Sequence, residues 1–120
     1  MRARVPYKLL AIFARNLLVL SVRVISRRNL FQKAAKHPDV QATVQDWFLA
    51  ARSAQWRNLE DIRKVYPATD MIGRIAIFNV KGNHYRLIVR VEFQPPRRVY
   101  IKELLTHSEY DKGAWKKWLR

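Results

Sequence analysis

Residues 84–93, HYRLIVRVEF, alternate between two kinds of side chain, and this alternation predicts the β-strand that decides the fold. Successive side chains of a strand point to opposite faces of a sheet, so the stretch has an apolar face and a mostly polar, basic face. The apolar set is Tyr85, Leu87, Val89, Val91 and Phe93, and the other set is His84, Arg86, Ile88, Arg90 and Glu92. The sequence therefore predicts a sheet with a core on one face and cations on the other.

Two further strands flank this one and predict a sheet of consecutive antiparallel strands. Residues 75–80, IAIFNV, are apolar on both faces, as in a central strand. The turn tripeptide Lys81-Gly82-Asn83 joins them to residues 84–93 and predicts a hairpin. Pro95-Pro96 ends the long strand, and residues 98–105, RVYIKELL, form the next one.

Helical patterns occupy the chain before the sheet. Residues 26–36, 40–54 and 59–65 predict three helices, with Ser26 as a candidate N-cap of the first, and residues 22–26 predict a short strand. The second helix has an apolar stripe that needs a sheet or another helix to cover it. That stripe consists of Val40, Val44, Trp47, Phe48 and Ala51.

A last helix is predicted after the sheet. Thr106-His107-Ser108-Glu109 fits a capping box, and the helix carries Tyr110, Ala114, Trp115 and Trp118. The predicted fold class is α+β, with the N-terminal helices packed on one face of a small antiparallel sheet and a short C-terminal helix. The uncovered sheet face is then expected to display His84, Arg86, Arg90 and Lys102.

Charge is the strongest global feature of the chain. Its 120 residues fit one domain, it has no cysteine, and 24 Lys and Arg against nine acidic residues give a net charge of +15. Such a chain repels itself unless it meets nucleic acid, an anionic membrane surface or an acidic protein, and charge alone does not choose among these. Zinc-ligand spacings, Gly-rich phosphate loops and paired carboxylates are missing from the sequence.

The remaining chemical candidates are cations, imidazoles and a phenol in the C-terminal half. Cleaving RNA without a metal requires proton transfer at two oxygens and cations that stabilise the charged phosphorane. Arg86 and Arg90 share a strand face and are expected to bind one phosphate or two neighbouring ones. His107 stands at a strand-to-helix junction, and Tyr110 follows it by one helical turn, so their side chains are expected to share a face.

Two separate motifs carry a resemblance to a known family. Residues 78–87, FNVKGNHYRL, and residues 106–111, THSEYD, resemble the two signatures of the HigB family of toxins, in the same order and at similar spacing. The resemblance runs from Val22 to about Lys112. The triplet Tyr85-Arg86-Leu87 is also similar to the arginine-bearing strand of the wider RelE-like group.

The resemblance implies a cytoplasmic, ribosome-dependent mRNA endonuclease that needs no cofactor or metal. It also implies silencing by a cognate HigA-type helix-turn-helix antitoxin, contact with operator DNA only through the complex of the two, and no membrane partner. By analogy Arg86 stabilises the phosphate, and either His107 or Tyr110 transfers protons. The residues expected to bind RNA phosphates are Lys81, His84, Arg90, Lys102 and Lys112.

The first 21 residues differ from the rest. They are basic, with an apolar middle that is too short and too interrupted for a membrane span, and they half resemble a secretory signal or a surface-bound amphipathic helix. The resemblance favours another interpretation, in which translation starts at Val22, residues 1–21 are an extension, and residues 22–120 form a single toxin domain.

Two rival functions remain open. The first is a non-catalytic basic protein that binds RNA or the ribosome without cutting it, for which Arg86→Ala would only weaken binding. The second is a membrane-associated protein that acts through residues 1–20, for which deletion of residues 1–21 would abolish function.

Overall fold

A computed structural model describes residues 23–119, so the expectations for residues 1–21 lie outside the described part of the chain. The strands are β1 (Arg23–Ile25), β2 (Asp70–Ile72), β3 (Ile75–Val80), β4 (Tyr85–Glu92) and β5 (Arg98–Thr106). The α-helices are α1 (Arg27–Ala35), α2 (Gln41–Ser53), α3 (Leu59–Arg63) and α4 (His107–Lys112), and short 3-10 helices span Pro38–Val40 and Ala114–Leu119. The predicted α+β class is confirmed.

The strands form one five-stranded mixed sheet in the order β1-β5-β4-β3-β2. Three of its pairings are antiparallel, as predicted, but β1 runs parallel to β5. The sequence pattern did not reveal this pairing, because β1 reaches β5 from the far end of the chain and not through a hairpin. Strand β2 was also missed, because three residues are too few to show a periodicity.

The main core lies between α1–α3 and one face of the sheet, which we call the helix-covered face. The stripe predicted on α2 is buried there, and Trp47 contacts the ring of Phe78 edge-on at 5.3 Å between centroids. From the sheet side this core is filled by alternate residues of the central strands. These include Ala76, Phe78, Val80, Tyr85, Leu87, Val89 and Val91.

The opposite face, here called the second face, is also covered, which corrects the expectation of an open cationic surface. Trp115 packs on it with Ile75, Ile77, Ile88 and Leu105, and Tyr110 and Trp118 lie at the border of this cluster. The physical reason is the number of aliphatic side chains on this face, which water would otherwise wet. The C-terminal segment supplies the cover.

Helix ends account for two further differences. Ser26 precedes α1 but takes a left-handed conformation with φ 69° and makes no side-chain cap hydrogen bond, so its predicted capping role is wrong. The predicted single C-terminal helix is divided, because Gly113 adopts φ 80° and ends α4 before the 3-10 helix begins. The described residues contain no helix long and apolar enough to cross a membrane.

Candidate active site

Predicted site residues from both motifs meet at the hairpin end of the sheet. We call Lys81, His84, Arg86, His107 and Tyr110 the tip cluster. Lys81 and His84 flank the turn between β3 and β4, in which Lys81 and Gly82 both take positive φ values of 52° and 63°. The two motifs are joined directly, because the backbone N–H of His107 donates to the carbonyl oxygen of His84 at 3.0 Å.

Arg86 is held in one orientation by the hairpin turn. Its Nη1 donates to the carbonyl oxygens of Asn83 at 3.1 Å and of Tyr85 at 3.2 Å, and its Nη2 approaches Asn83 Oδ1 at 3.5 Å. The residue is only 9% exposed, so it is not displayed on an open surface as expected. A guanidinium has five N–H groups, so these contacts leave part of the group for an anion.

Tyr110 forms a platform beneath this guanidinium. Arg86 Cζ lies 5.3 Å from the centroid of the Tyr110 ring, a cation–π distance. On its other side Tyr110 stacks on Trp115, with 5.1 Å between ring centroids and 8° between ring planes. Trp115 is fixed in turn, because its Nε1 donates to the Tyr110 carbonyl oxygen at 3.0 Å. The C-terminal segment therefore fixes the position of Arg86.

Either His107 or Tyr110 was predicted to transfer protons, and His107 is the more exposed of the two. Its side chain is 53% exposed, and Nε2 lies 3.3 Å from Asp111 Oδ2, one turn further along α4. A carboxylate at this distance orients the imidazole ring. His107 thus has the solvent access and the partner that proton transfer requires.

The start of α4 is fixed by the predicted capping box, which is confirmed. The Glu109 N–H donates to Thr106 Oγ1 at 3.1 Å, and the Thr106 N–H donates to Glu109 Oε1 at 2.9 Å. The bond from the Thr106 backbone is the main cause that holds the pKa of Glu109 below its ordinary value, and nearby Lys33 adds to this effect. Lys33 Nζ lies 3.6 Å from the carboxylate, which links α1 to α4.

Asp39 anchors the hairpin from the helix-covered face. The Tyr85 hydroxyl donates to its carboxylate at 2.9 Å, and Lys81 Nζ lies 3.2 Å from it. The hydrogen bond from Tyr85 is the largest cause that lowers the pKa of Asp39. Burial, followed by the hydrogen bond to Asp39, raises the pKa of Tyr85. The His37 ring contacts the Tyr85 ring edge-on at 5.3 Å between centroids.

Arg90 and Lys102 do not join the tip cluster. Arg90 lies four residues beyond Arg86 on β4, which is roughly 13 Å along a strand. The Arg86 guanidinium turns back toward Asn83, and the expectation that Arg86 and Arg90 bind one phosphate or two neighbouring ones stays a prediction. Lys102 lies over Trp118, with Nζ 4.9 Å from a ring centroid, and Lys112 is exposed at the end of α4.

Sequence reasoning missed the residues that position the tip cluster. Asn83 was interpreted only as a turn residue, Asp111 as part of a motif, and Trp115 as a helix residue, while Asp39 lies between two predicted helices and received no role. The spacing of four between His107 and Asp111 could have indicated their contact. Nothing in the local sequence could have indicated that Asp39 reaches Tyr85, 46 positions away.

The arrangement combines a fixed guanidinium, an exposed imidazole with a carboxylate partner, and a high positive charge. A fixed guanidinium suits an anion such as phosphate, and the imidazole suits proton transfer near neutral pH. Among residues 23–119, no three His, Cys, Asp or Glu side chains come together as metal ligands would.

Fold and site together define a small, strongly basic α+β protein with a cluster of basic and aromatic side chains where a β-hairpin meets its C-terminal helix. The chain belongs to the HigB toxin family, described as the RelE-like toxic component of a toxin-antitoxin system, whose family model matches residues 40–113.

Named relatives agree with this membership. The chain is 27% identical over 93 residues to the mRNA interferase toxin HigB of Escherichia coli strain K12, which covers 75% of this chain and 88% of the relative. The mRNA interferase HigB proteins of Escherichia coli O157:H7 and Shigella flexneri match at the same identity and coverage. Membership in a toxin-antitoxin family implies an antitoxin partner for this chain.

Proposed function

We propose that this toxin is an mRNA interferase, an endoribonuclease that cleaves mRNA on the ribosome without a metal or cofactor. The observation that carries the proposal is the placement of Arg86 on the Tyr110 ring, in the same cluster as the exposed His107. The names of the relatives support the same reaction for this chain.

Arg86 acts on the scissile phosphate in this proposal. The 2′-oxygen attacks phosphorus while its proton passes to solvent water, the bond from phosphorus to the 5′ oxygen breaks, and that oxygen takes a proton from His107. Negative charge grows on the phosphorane between these events, and a guanidinium held in advance by Asn83 and Tyr110 stabilises it without having to reorganise.

His107 is the proton-transfer residue, and Tyr110 is a positioning residue. His107 is exposed and paired with Asp111, whereas the Tyr110 ring lies between Arg86 and Trp115. The Asp111 carboxylate orients the imidazole, which delivers a proton to the leaving 5′ oxygen.

The other predicted RNA contacts bind phosphates outside the scissile bond. Lys81 and His84 in the tip cluster, together with the nearby Lys112, bind the phosphates next to the scissile one. Arg90 and Lys102 bind phosphates further along the second face. Their contribution is mainly electrostatic, so binding should weaken steeply with salt.

The cellular setting is also part of the proposal. The toxin acts in the cytoplasm, a HigA-type helix-turn-helix antitoxin silences it, and only the complex of the two reaches operator DNA. Residues 22–120 act as the toxin domain.

Induced expression with 5′-end mapping of cellular mRNA tests the proposal. The intact chain should arrest growth and produce new 5′ ends within translated messages. Arg86→Ala should lower the cleavage rate on ribosome-bound mRNA by about 100- to 1000-fold, the range for loss of one preorganised donor to a transition-state anion. The matched control is Arg52→Ala, which removes an exposed arginine of α2 and should cleave normally.

A variant of the tip cluster at His107 separates loss of catalysis from loss of folding and from loss of RNA binding. His107→Ala should abolish cleavage while the protein still binds ribosomes and melts within a few degrees of the parent. Unchanged growth and unchanged 5′ ends on expression of the parent chain would reject the nuclease and leave the non-catalytic RNA-binding protein as the better hypothesis.

A further inference from the structure

A second candidate binding site lies on the second face, at the end opposite the tip cluster. It is a pocket of about 230 Å³ with an apolar floor and a basic rim. The pocket is lined by Ile72, Arg74, Ile75, Arg90, Trp118 and Leu119. Arg90 belongs to β4 and lies about 13 Å along that strand from Arg86 of the tip cluster. The pocket and the tip cluster are therefore distinct sites.

Exposed aliphatic side chains border this pocket. Ile72 is 48% exposed and Leu119 is 36% exposed, and both stand beside the half-buried Trp118. Neighbouring apolar side chains left in water favour a partner that covers them. A nucleotide gains little from aliphatic groups, because RNA is bound through stacking on aromatic rings and through its phosphates.

Two arginines stand at the rim without an anionic partner. Arg74 and Arg90 are both exposed, and neither side chain takes part in an ion pair or hydrogen bond within residues 23–119. In a chain of net charge +15, carboxylates of another molecule are the complementary groups. The basic segment of residues 1–21 would instead bring like charges to this rim.

The adjoining edge of the sheet offers backbone groups as well. Strand β2 pairs with β3 on one side, and among the described residues no strand pairs with its other side. An edge strand of this kind accepts an extended segment of another chain.

We propose that this pocket binds an acidic, amphipathic segment of a partner protein. One aliphatic side chain of the segment sits between Ile72, Trp118 and Leu119, and flanking carboxylates pair with Arg74 and Arg90. The antitoxin implied by the family is the first partner of this chemistry. A segment bound here would also cover Arg90, so it would compete with RNA for this end of the second face.

Titration with synthetic peptides tests the recognition chemistry. The probe is an acetylated nine-residue peptide of alternating Glu and Leu, and the matched control alternates Glu and Ser at the same charge. Backbone amide NMR of the full chain should show shifts at Ile72, Arg74 and Leu119 with the Glu-Leu peptide, and at most weak, dispersed shifts with Glu-Ser. The double variant Ile72→Ser with Leu119→Ser should remove these shifts, whereas Leu49→Ser, an exposed leucine of α2, should keep them.

Three outcomes of this titration would overturn the proposal. Equal shifts with both peptides would mean that only charge is recognised. No shifts at the pocket would mean that it does not bind such a segment. Shifts at Ile72 and Leu119 with a nine-nucleotide oligouridylate but not with the Glu-Leu peptide would make the pocket an RNA site.

A second experiment uses a purified HigA-type antitoxin, the partner class that the family implies. Arg74→Glu with Arg90→Glu should weaken its binding at least about tenfold, the effect expected when desolvated charge pairs are lost, while Arg52→Glu should change it less than about twofold. Affinity unchanged by the double reversal would place the antitoxin elsewhere. The measurement is of binding, so it stands even if the chain cleaves no RNA.

Discussion

The two faces of the sheet differ in how they are covered and in what they carry. On the helix-covered face, three helices and the sheet bury a cluster of 19 residues among those described, with Trp47 and Phe78 at its centre. On the second face, five buried residues are covered by one short C-terminal segment, and the tip cluster and the pocket lie at the two ends of this cover. Stability therefore depends mainly on the first face, and function is concentrated on the second.

Removal of a central ring from the helix-covered face should have the largest effect. Phe78 is fully buried and contacts Trp47, Trp56 and Tyr66, so Phe78→Ala should lower the free energy of unfolding by about 4 kcal/mol. Urea denaturation followed by tryptophan fluorescence measures this change. A loss below about 1 kcal/mol would contradict the assignment of stability to this face.

Trp115→Ala tests the cover of the second face. The free energy of unfolding should fall by about 3 kcal/mol, less than for Phe78→Ala, because the cluster around Trp115 is much smaller. Cleavage at a temperature where the variant stays folded should nevertheless drop strongly, since Tyr110 and Arg86 lose their support. Equal stability losses for the two variants would remove the distinction between the faces.

Tyr110 can be tested for its ring and its hydroxyl separately. Tyr110→Phe keeps the stacked ring, so cleavage should stay within about threefold of the parent, whereas Tyr110→Ala should lower it by about tenfold or more through loss of a cation–π contact and a stacked pair. Single-turnover rates on ribosome-bound mRNA measure both. A Phe variant as inactive as the Ala variant would show that the hydroxyl, and not His107, transfers the proton.

Thr106→Ala should have a smaller effect on the second face. Loss of the capping hydroxyl at the start of α4 should lower the free energy of unfolding by about 1 kcal/mol. Ser at the same position should restore most of it, because a hydroxyl alone makes the bond to the Glu109 N–H. Thermal unfolding of the two variants separates the cap from side-chain packing, and equal melting temperatures for Ala and Ser would contradict the capping role.

Asp39→Asn should lower stability at neutral pH and should also change how stability depends on pH. The pKa of Asp39 is lowered in the folded chain, mainly by the Tyr85 hydroxyl, so its ionised form contributes stability above the ordinary value of 3.8. That contribution is lost as pH falls through the lowered folded value. Urea midpoints of parent and variant should therefore differ at pH 6, and the difference should shrink as the pH is lowered below 3.8. Glu60→Gln, at an exposed residue of α3, is the control, and a pH-independent difference for Asp39→Asn would contradict the role of its charge.

Much of the fold was predictable because local periodicity matches the final elements. The alternation around Arg86 and the apolar stripe around Trp47 predicted β4 and α2 within two residues of their ends. The site was predictable only in part. Both motifs contributed residues to the tip cluster, but the Arg86 side chain contacts Asn83 and the ring of Tyr110, and a strand pattern does not reveal these contacts.

The sequence by itself determined the α+β class, the hairpin at Gly82, the capping box at Thr106, the high positive charge and the resemblance to a toxin family. Each depends on neighbouring residues or on composition. Only the tertiary structure decided that β1 pairs parallel to β5, that Asp39 binds Tyr85, and that Arg86 and Arg90 lie apart. These features depend on contacts between distant segments, which form only when apolar burial brings those segments together.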